Sequence, residues 1–274
     1  LNAKTICLDL VSLFQQQKLL SLRLQNVQKL SALYQKRLST GDANILETNK
    51  IELELYNIKT QMRLIETERN NKLKELQTLN GNLPIGEELT DYSPVDFPEN
   101  FEIYSQEAIA ADPELRSLEN ELKVARKNIS LSKSLWFPKF EIGYIREMEP
   151  TDKYNGISFG ISIPLFENRN KIKQAKALSG YTQMQIENTR LQSLSTLRQL
   201  YDQVTNLKVS MQEYNKLLQS QKTLSLLNKA LENGQLSMIE YFIEANQVYE
   251  SMQNYLQLEN QYQQIVSQMY RYKL

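Results

Sequence analysis

Lys36-Arg37-Leu38-Ser39-Thr40-Gly41 and Leu231-Glu232-Asn233-Gly234 belong to one chain of 274 residues, and their glycines lie 193 residues apart. Each stretch closes a run of apolar residues with helical spacing and precedes another. On that register Leu38 meets Leu231, Ile45 meets Met238 and Leu46 meets Ile239. Glu47 meets Glu240, Leu55 meets Val248, Tyr56 meets Tyr249 and Glu66 meets Glu259. Coincident heptads would match leucines and isoleucines, but hardly a glycine turn, an acid six residues later and a tyrosine together. The chain therefore holds two homologous helical hairpins with similar tips.

Outward from the first tip, Leu10, Leu13, Leu20, Leu24, Val27, Leu30, Tyr34 and Leu38 keep helical spacing from Leu1 to Ser39. Ser39-Thr40-Gly41-Asp42 breaks the run and puts Gly where a left-handed C-cap residue is wanted. A second helix is predicted from about Asn44 to Asn80. Its stripe Ile51, Leu55, Ile58, Met62, Ile65 alternates steps of four and three, which is coiled-coil spacing. Outward from the second tip, one helix is predicted from about Asn168 to Asn233, roughly 100 Å at 1.5 Å per residue. Leu197, Leu200, Val204, Leu207, Met211, Tyr214 and Leu218 make its stripe. A last helix runs from about Ser237 to Tyr272. A helix of that length cannot wrap a compact core and needs equally long partners.

Between the two hairpins the pattern changes. Residues 82–111, with Pro84, Pro94 and Pro98, predict an ordered connector with a short helix near Ile103–Ala110. Asp112-Pro113-Glu114 starts a helix, Asp as N-cap and Pro at the first helical position, and it stops before Phe137-Pro138. Then Phe140, Ile142 and Tyr144 alternate with Glu141 and Gly143. After a turn around Asp152–Asn155, Ile157, Phe159, Ile161, Ile163 and Leu165 alternate with Ser158, Gly160 and Ser162. One face is apolar and the other small and polar. Two readings fit: a hairpin lying on a soluble core, or a pair of barrel strands with lipid outside and a wet lumen inside.

Composition narrows the function. Lys+Arg and Asp+Glu are equal at 32 each, and no basic stripe interleaved with aromatics suggests nucleic acid. Histidine is absent, which removes the commonest general base and metal-binding imidazole. Cys7 is the only cysteine and is expected to be a buried helix residue. No phosphate loop, nucleophile elbow or metal cluster is visible, so neither an enzyme nor a cofactor is expected. No apolar run reaches about 18 residues, so membrane contact must come from strands or a surface-lying helix. A soluble coiled-coil scaffold and a periplasmic adaptor are the competing readings; an adaptor should add a further β domain.

The residues resemble the outer-membrane efflux family typified by TolC. Lys36–Asn57 is similar to the family's first inner hairpin turn. Asp112-Pro113-Glu114-Leu115 through Leu135-Trp136-Phe137-Pro138 resembles the helix leading into its barrel, and Ser162-Ile163-Pro164-Leu165-Phe166-Glu167-Asn168 its strand-to-helix exit. Leu231–Gln247 resembles the second tip. The wider pattern is similar to Bacteroidota heavy-metal or cation efflux components. The resemblance implies a mainly α fold: long antiparallel coiled-coil hairpins of a periplasmic α-barrel plus one β-hairpin of an outer-membrane β-barrel. On that plan residues 1–81 are an incomplete first-repeat hairpin and 82–111 the connector. Residues 112–274 are the second repeat, with helix 112–136, β-hairpin 139–166, long helix 168–233 and helix 237–272. Ile157, Phe159, Ile161 and Ile163 then face lipid.

The same resemblance implies a homotrimer that passes solutes from an inner-membrane pump, through a periplasmic adaptor, across the outer membrane. The family's barrel takes four strands from each protomer and this chain offers two, so a shortened form or a piece of a longer polypeptide is expected. By position Glu240 falls on the family's first gate acid and Glu47 on the acid of the other hairpin. A second gate acid is replaced by Ile243, with Glu244 one place beyond. The family's polar latch positions hold Leu231 and Leu236, so hydrophobic closure by Leu231, Leu236 and Phe242 is expected instead. Arg37, Leu38, Gly41, Leu231 and Gly234 are the expected adaptor contacts. Three copies of Glu240 around a threefold axis would repel one another, raise their own pKa values and attract cations.

Overall fold

A computed structural model describes residues 1–86, 89–95, 97–148, 153–164, 168–220 and 223–273. The elements in chain order are α1 (Asn2–Thr40), α2 (Ile45–Leu79), α3 (Phe101–Ala111), α4 (Pro113–Ser134), β1 (Lys139–Met148), β2 (Lys153–Ser162), α5 (Lys171–Ser220), α6 (Thr223–Glu232) and α7 (Met238–Met269). The fold is mainly α with one β-hairpin, as the sequence implies. No helix among the described residues is long and apolar enough to cross a membrane.

Packing divides the chain differently from the sequence. One compact unit is Leu1–Glu99 with Arg198–Leu274, the other Asn100–Leu197. The difference has a plain cause: α5 is a single helix that contributes to both, so no boundary along the chain can coincide with a boundary in space.

In the first unit the two hairpins lie side by side. Leu20, Val27, Leu30 and Tyr34 of α1, Ile51 and Ile58 of α2, Leu231 of α6, and Met238, Tyr241, Phe242, Ala245 and Tyr249 of α7 make one buried cluster. The coiled-coil stripe of α2 is thus spent on a shared core rather than on one partner. The long helix expected over 168–233 is described as α5 and α6; Gln221 and Lys222 between them lie outside the described residues. Cys7 is only half-buried on α1, which corrects its expected place in the core. Burial pushes its thiol above the usual range.

In the second unit α4 starts where Asp112-Pro113 predicts. Asp112 Oδ1 accepts from Glu114 N at 2.9 Å, and its Oδ2 from Ser193 Oγ of α5 at 3.3 Å. Arg126 of α4 donates to Gln183 Oε1 at 3.4 Å, so α4 runs antiparallel to α5. β1 and β2 pair antiparallel, with Phe140 opposite Ile161, Ile142 opposite Phe159 and Tyr144 opposite Ile157. The turn is shorter than expected: Lys153, Tyr154 and Asn155 are already paired, with Met148, Glu147 and Arg146. Polar residues mark turns only weakly, and here the backbone ladder continues through them beyond the apolar pairs. Residues 149–152 lie outside the described residues, as do Leu165, Phe166 and Glu167 of the exit motif. Ile163 lies just past the end of β2.

Candidate functional site

Both tips end in the same backbone motif. Gly41 (φ 82°) and Gly234 (φ 69°) are left-handed. At the first, Gly41 N donates to Leu38 O at 3.2 Å and Asp42 N to Arg37 O at 2.8 Å. At the second, Gly234 N donates to Leu231 O at 3.1 Å and Gln235 N to Ala230 O at 2.8 Å. These bonds satisfy carbonyls that a helix end leaves orphaned. A Cβ at either glycine would touch nothing, so only the positive φ demands glycine there.

Three residues past each glycine, the next helix opens with a capping box. Glu47 N donates to Asn44 Oδ1 at 3.0 Å and Asn44 N to Glu47 Oε2 at 2.9 Å. Ser237 and Glu240 repeat this: Glu240 N to Ser237 Oγ at 3.2 Å, Ser237 N to Glu240 Oε2 at 2.8 Å. The acids that the family resemblance places at a gate therefore have a structural occupation. Asn44-Ile45-Leu46-Glu47 and Ser237-Met238-Ile239-Glu240 both carry a cap residue with Glu three positions on, a pattern legible in the sequence. The backbone and hydroxyl of Ser237 hold the Glu240 carboxyl below its ordinary value. That direction is opposite to the one mutual repulsion in a ring would give. It keeps the exposed side chain ionised at neutral pH.

Lowered pKa fixes the sign of a pH effect. The Glu240 contribution is fully present above the carboxyl's ordinary value of 4.5 and is lost as pH falls through its lower folded value. Acidification from pH 7 to 3 should therefore fray the start of α7, read as a lower protection factor of the Ser237 amide, its exchange rate being compared with the intrinsic rate at each pH. Glu240→Gln should abolish that pH step, whereas Ser237→Ala, which keeps the backbone bond to the carboxylate, should only reduce it and cost about 1 kcal/mol in urea unfolding.

The other residues singled out by the sequence fall into two groups. Arg37 is half-buried over the Tyr34 ring at 5.3 Å, while Leu38, Gly41, Gly234 and Glu244 are exposed and Leu236 is half-buried. Leu231 (1% exposed) and Phe242 (4%) are core residues. That corrects their expected places in hydrophobic closure and, for Leu231, in adaptor contact. A side chain sealed within its own chain presents nothing to a lumen or a partner. Phe242 packs edge-on against Tyr241 at 5.7 Å, and Lys50 lies 5.9 Å from its ring centre. Tyr241 Oη donates to Asn228 Oδ1 at 2.8 Å, and burial pushes its phenol up.

Sequence reasoning missed what joins the hairpins. Arg23 of α1 is ion-paired with Glu54 of α2, donates through Nη2 to Asn246 Oδ1 of α7 at 2.7 Å, and lies 5.1 Å over the Tyr249 ring. Asn26 Nδ2 donates to Tyr249 Oη at 2.7 Å. Nearer the other end of α1, Asp9 accepts from Gln264 Nε2 at 2.6 Å and pairs with Lys72 Nζ at 2.9 Å. Each node ties α1, α2 and α7 together. Among the described residues no three of His, Cys, Asp and Glu gather as a metal site would require.

On the second unit, Phe140, Ile142, Tyr144, Ile157, Phe159 and Ile161 stand open to solvent, as does Ile163. Among the described residues nothing packs on this apolar face. Coiled hairpins meeting at glycine tips, with a two-stranded ribbon whose apolar side is uncovered, make up the TolC-like channel architecture.

The family model described as outer membrane efflux protein matches residues 104–272, and the chain belongs to that family. Solved structures share the fold. The outer membrane protein VceC of Vibrio cholerae is 12% identical with a TM-score of 0.82, over 99% of this chain and 68% of that one. A membrane protein of Pseudomonas aeruginosa is 15% identical with a TM-score of 0.79, over 99% and 64%. The open MtrE outer membrane channel of Neisseria gonorrhoeae is 14% identical with a TM-score of 0.73, over 98% and 66%. The chain thus spans about two thirds of the length of these structures. No curated protein matches it significantly.

Proposed function

We propose that the chain forms part of the duct of an outer-membrane efflux channel, a passive path for solute export. The observation that carries this reading is the uncovered apolar face of the hairpin. Three cross-strand pairs of large apolar residues, all exposed, lie over a face made mainly of small and polar residues, among them Glu141, Gly143, Ser158, Gly160 and Ser162. A ribbon resting on a soluble core would bury that side; barrel strands give it to lipid. The bulk of the helices then lies in the periplasm, and the two tips form the inner end of the tube in a homotrimer.

On this reading the tip chemistry belongs to the residues that lie outside the buried core. Glu240 and Glu47, fixed at helix starts, supply acidic side chains to the entrance, with Glu244 one turn further along α7. Arg37, Leu38, Gly41 and Gly234 are the surface offered to a periplasmic adaptor, which links the channel to an inner-membrane pump. The resemblance to heavy-metal and cation efflux components favours metal cations as the exported solutes, and an acidic entrance is compatible with that cargo. The experiment is single-channel recording of the full-length protein in planar bilayers. A conducting trimer is expected, with Glu240→Gln lowering its preference for cations. Absence of any conductance would overturn the channel, whereas unchanged selectivity would remove Glu240 from the entrance.

A further inference from the structure

The chain carries no net charge, yet acids and bases are not mixed at the base of the ribbon. From Leu122 to Leu135, the second half of α4 and its C-cap, stand Lys123, Arg126, Lys127 and Lys133 and no acid. From Asn168 to Ile186, the entry and first part of α5, stand Arg169, Lys171, Lys173 and Lys176 and again no acid. All of these cations are exposed, as is Lys139 at the foot of β1. Among the described residues none of them forms an ion pair. Glu121 and Glu187 close the basic stretch on the two helices, and they do so at one level. Arg126 lies opposite Gln183 on antiparallel helices, so five residues back along α4 and five on along α5 set Glu121 opposite Asn188. At the other edge Asn168 Nδ2 donates to Leu135 O at 2.5 Å, which joins the two helix ends where the ribbon begins. Glu167, beside that bond in sequence, lies outside the described residues.

Helix stability does not account for this band. A cation suits the last turn of α4, where Lys133 lies. Arg169, Lys171 and Lys173 at the start of α5 instead oppose the helix macrodipole, with no acid in the first turn to offset them. We propose that the band binds the anionic headgroups of phospholipids in the membrane leaflet that meets the base of the ribbon. The order of layers names the occupant. The apolar strand face ends, exposed Trp136 and Phe137 follow, and the cations begin directly beyond them. That sequence matches acyl chains, the interface where aromatic rings sit, and phosphate. Lys133 and Lys173 lie two and five residues from Leu135 and Asn168. At 1.5 Å per residue both stand within about 8 Å of the ribbon's base, roughly a Debye length at physiological salt. The proposal rests on the channel reading, since it takes the ribbon to lie in lipid.

Trp136, the only tryptophan of the 274 residues, stands beside the band and can report on it. Full-length protein, with any tryptophan outside these residues replaced by phenylalanine, is reconstituted in vesicles of equimolar phosphatidylcholine and phosphatidylglycerol. One lipid or the other carries bromine on its acyl chains, which quenches a neighbouring indole. Phosphatidylglycerol is expected to bind roughly fivefold more tightly than phosphatidylcholine at low salt, and the preference should shrink at high salt. Lys133→Gln, Lys171→Gln and Lys173→Gln together should bring the two lipids level, while arginine at the same three positions should keep the preference. Equal quenching in the unaltered protein, or a preference that survives the three glutamines, would overturn the lipid site while the channel stands. Absence of quenching by either lipid would put the ribbon outside the bilayer and overturn both. Retention of the detergent-solubilised protein on an anionic cell-wall polymer, lost with the glutamines and joined to no lipid preference, would overturn the lipid in favour of that polymer.

Discussion

Arg23→Met should destabilise the first unit by about 3–5 kcal/mol, because it leaves the Glu54 carboxylate sequestered without its cation. The geometry explains the size. The side chains of Arg23 and Glu54 are only 16% and 13% exposed, so water cannot take over the role of the lost partner. Asn246 Oδ1 and the face of Tyr249 lose their contacts in the same step. The effect should not be a simple sum. Arg23→Met with Glu54→Gln removes both charges and should recover most of the loss, giving a coupling energy well above the values of about 0–1 kcal/mol typical of surface pairs. Urea unfolding of the four members of the cycle measures it. A single variant within about 0.5 kcal/mol of wild type would show that the node is not a clip.

Phe159→Arg should leave the water-soluble part of the fold intact and abolish stable residence in the outer membrane. Phe159 is 76% exposed and faces Ile142 across the ladder, so in water the substitution buries no charge. In a bilayer it places a guanidinium in the apolar band, at about 2–4 kcal/mol near the midplane. Ile142→Arg on the facing strand should add to it. Glu141→Arg, on the opposite face beside Gly160, is the matched control and should be retained normally. The readout is the fraction that resists carbonate or urea extraction from membranes. Equal retention of all three variants would mean that the apolar face is not the lipid face.

The parts of this molecule governed by local chemistry were legible in the sequence. Gly41 and Gly234 end helices because only a left-handed residue completes the carbonyl bonds there, and Asp112-Pro113 starts one because both residues suit a helix entrance. Alternation at 157–163 revealed two faces because strand side chains alternate whatever surrounds them. The capping boxes are equally readable, since Asn44 and Ser237 stand three places before Glu47 and Glu240. What was not legible depends on which helices share a space. A stripe shows that Leu231 and Phe242 face something, but not that two hairpins press together and seal them. Arg23 and Asn246 are 223 residues apart, and no periodicity within either helix gives the register between them.

The capping boxes also make charge and architecture separable at the tip. Glutamine serves the third helical position of such a box nearly as well as glutamate, since its amide oxygen can accept the same backbone proton. Replacing Glu47 or Glu240 by glutamine thus deletes a negative charge while leaving the helix start tied. Alanine would remove both at once. An isosteric neutral substitution is therefore a probe of electrostatics alone at these two positions, and the backbone that immobilises the carboxylates is what makes it so.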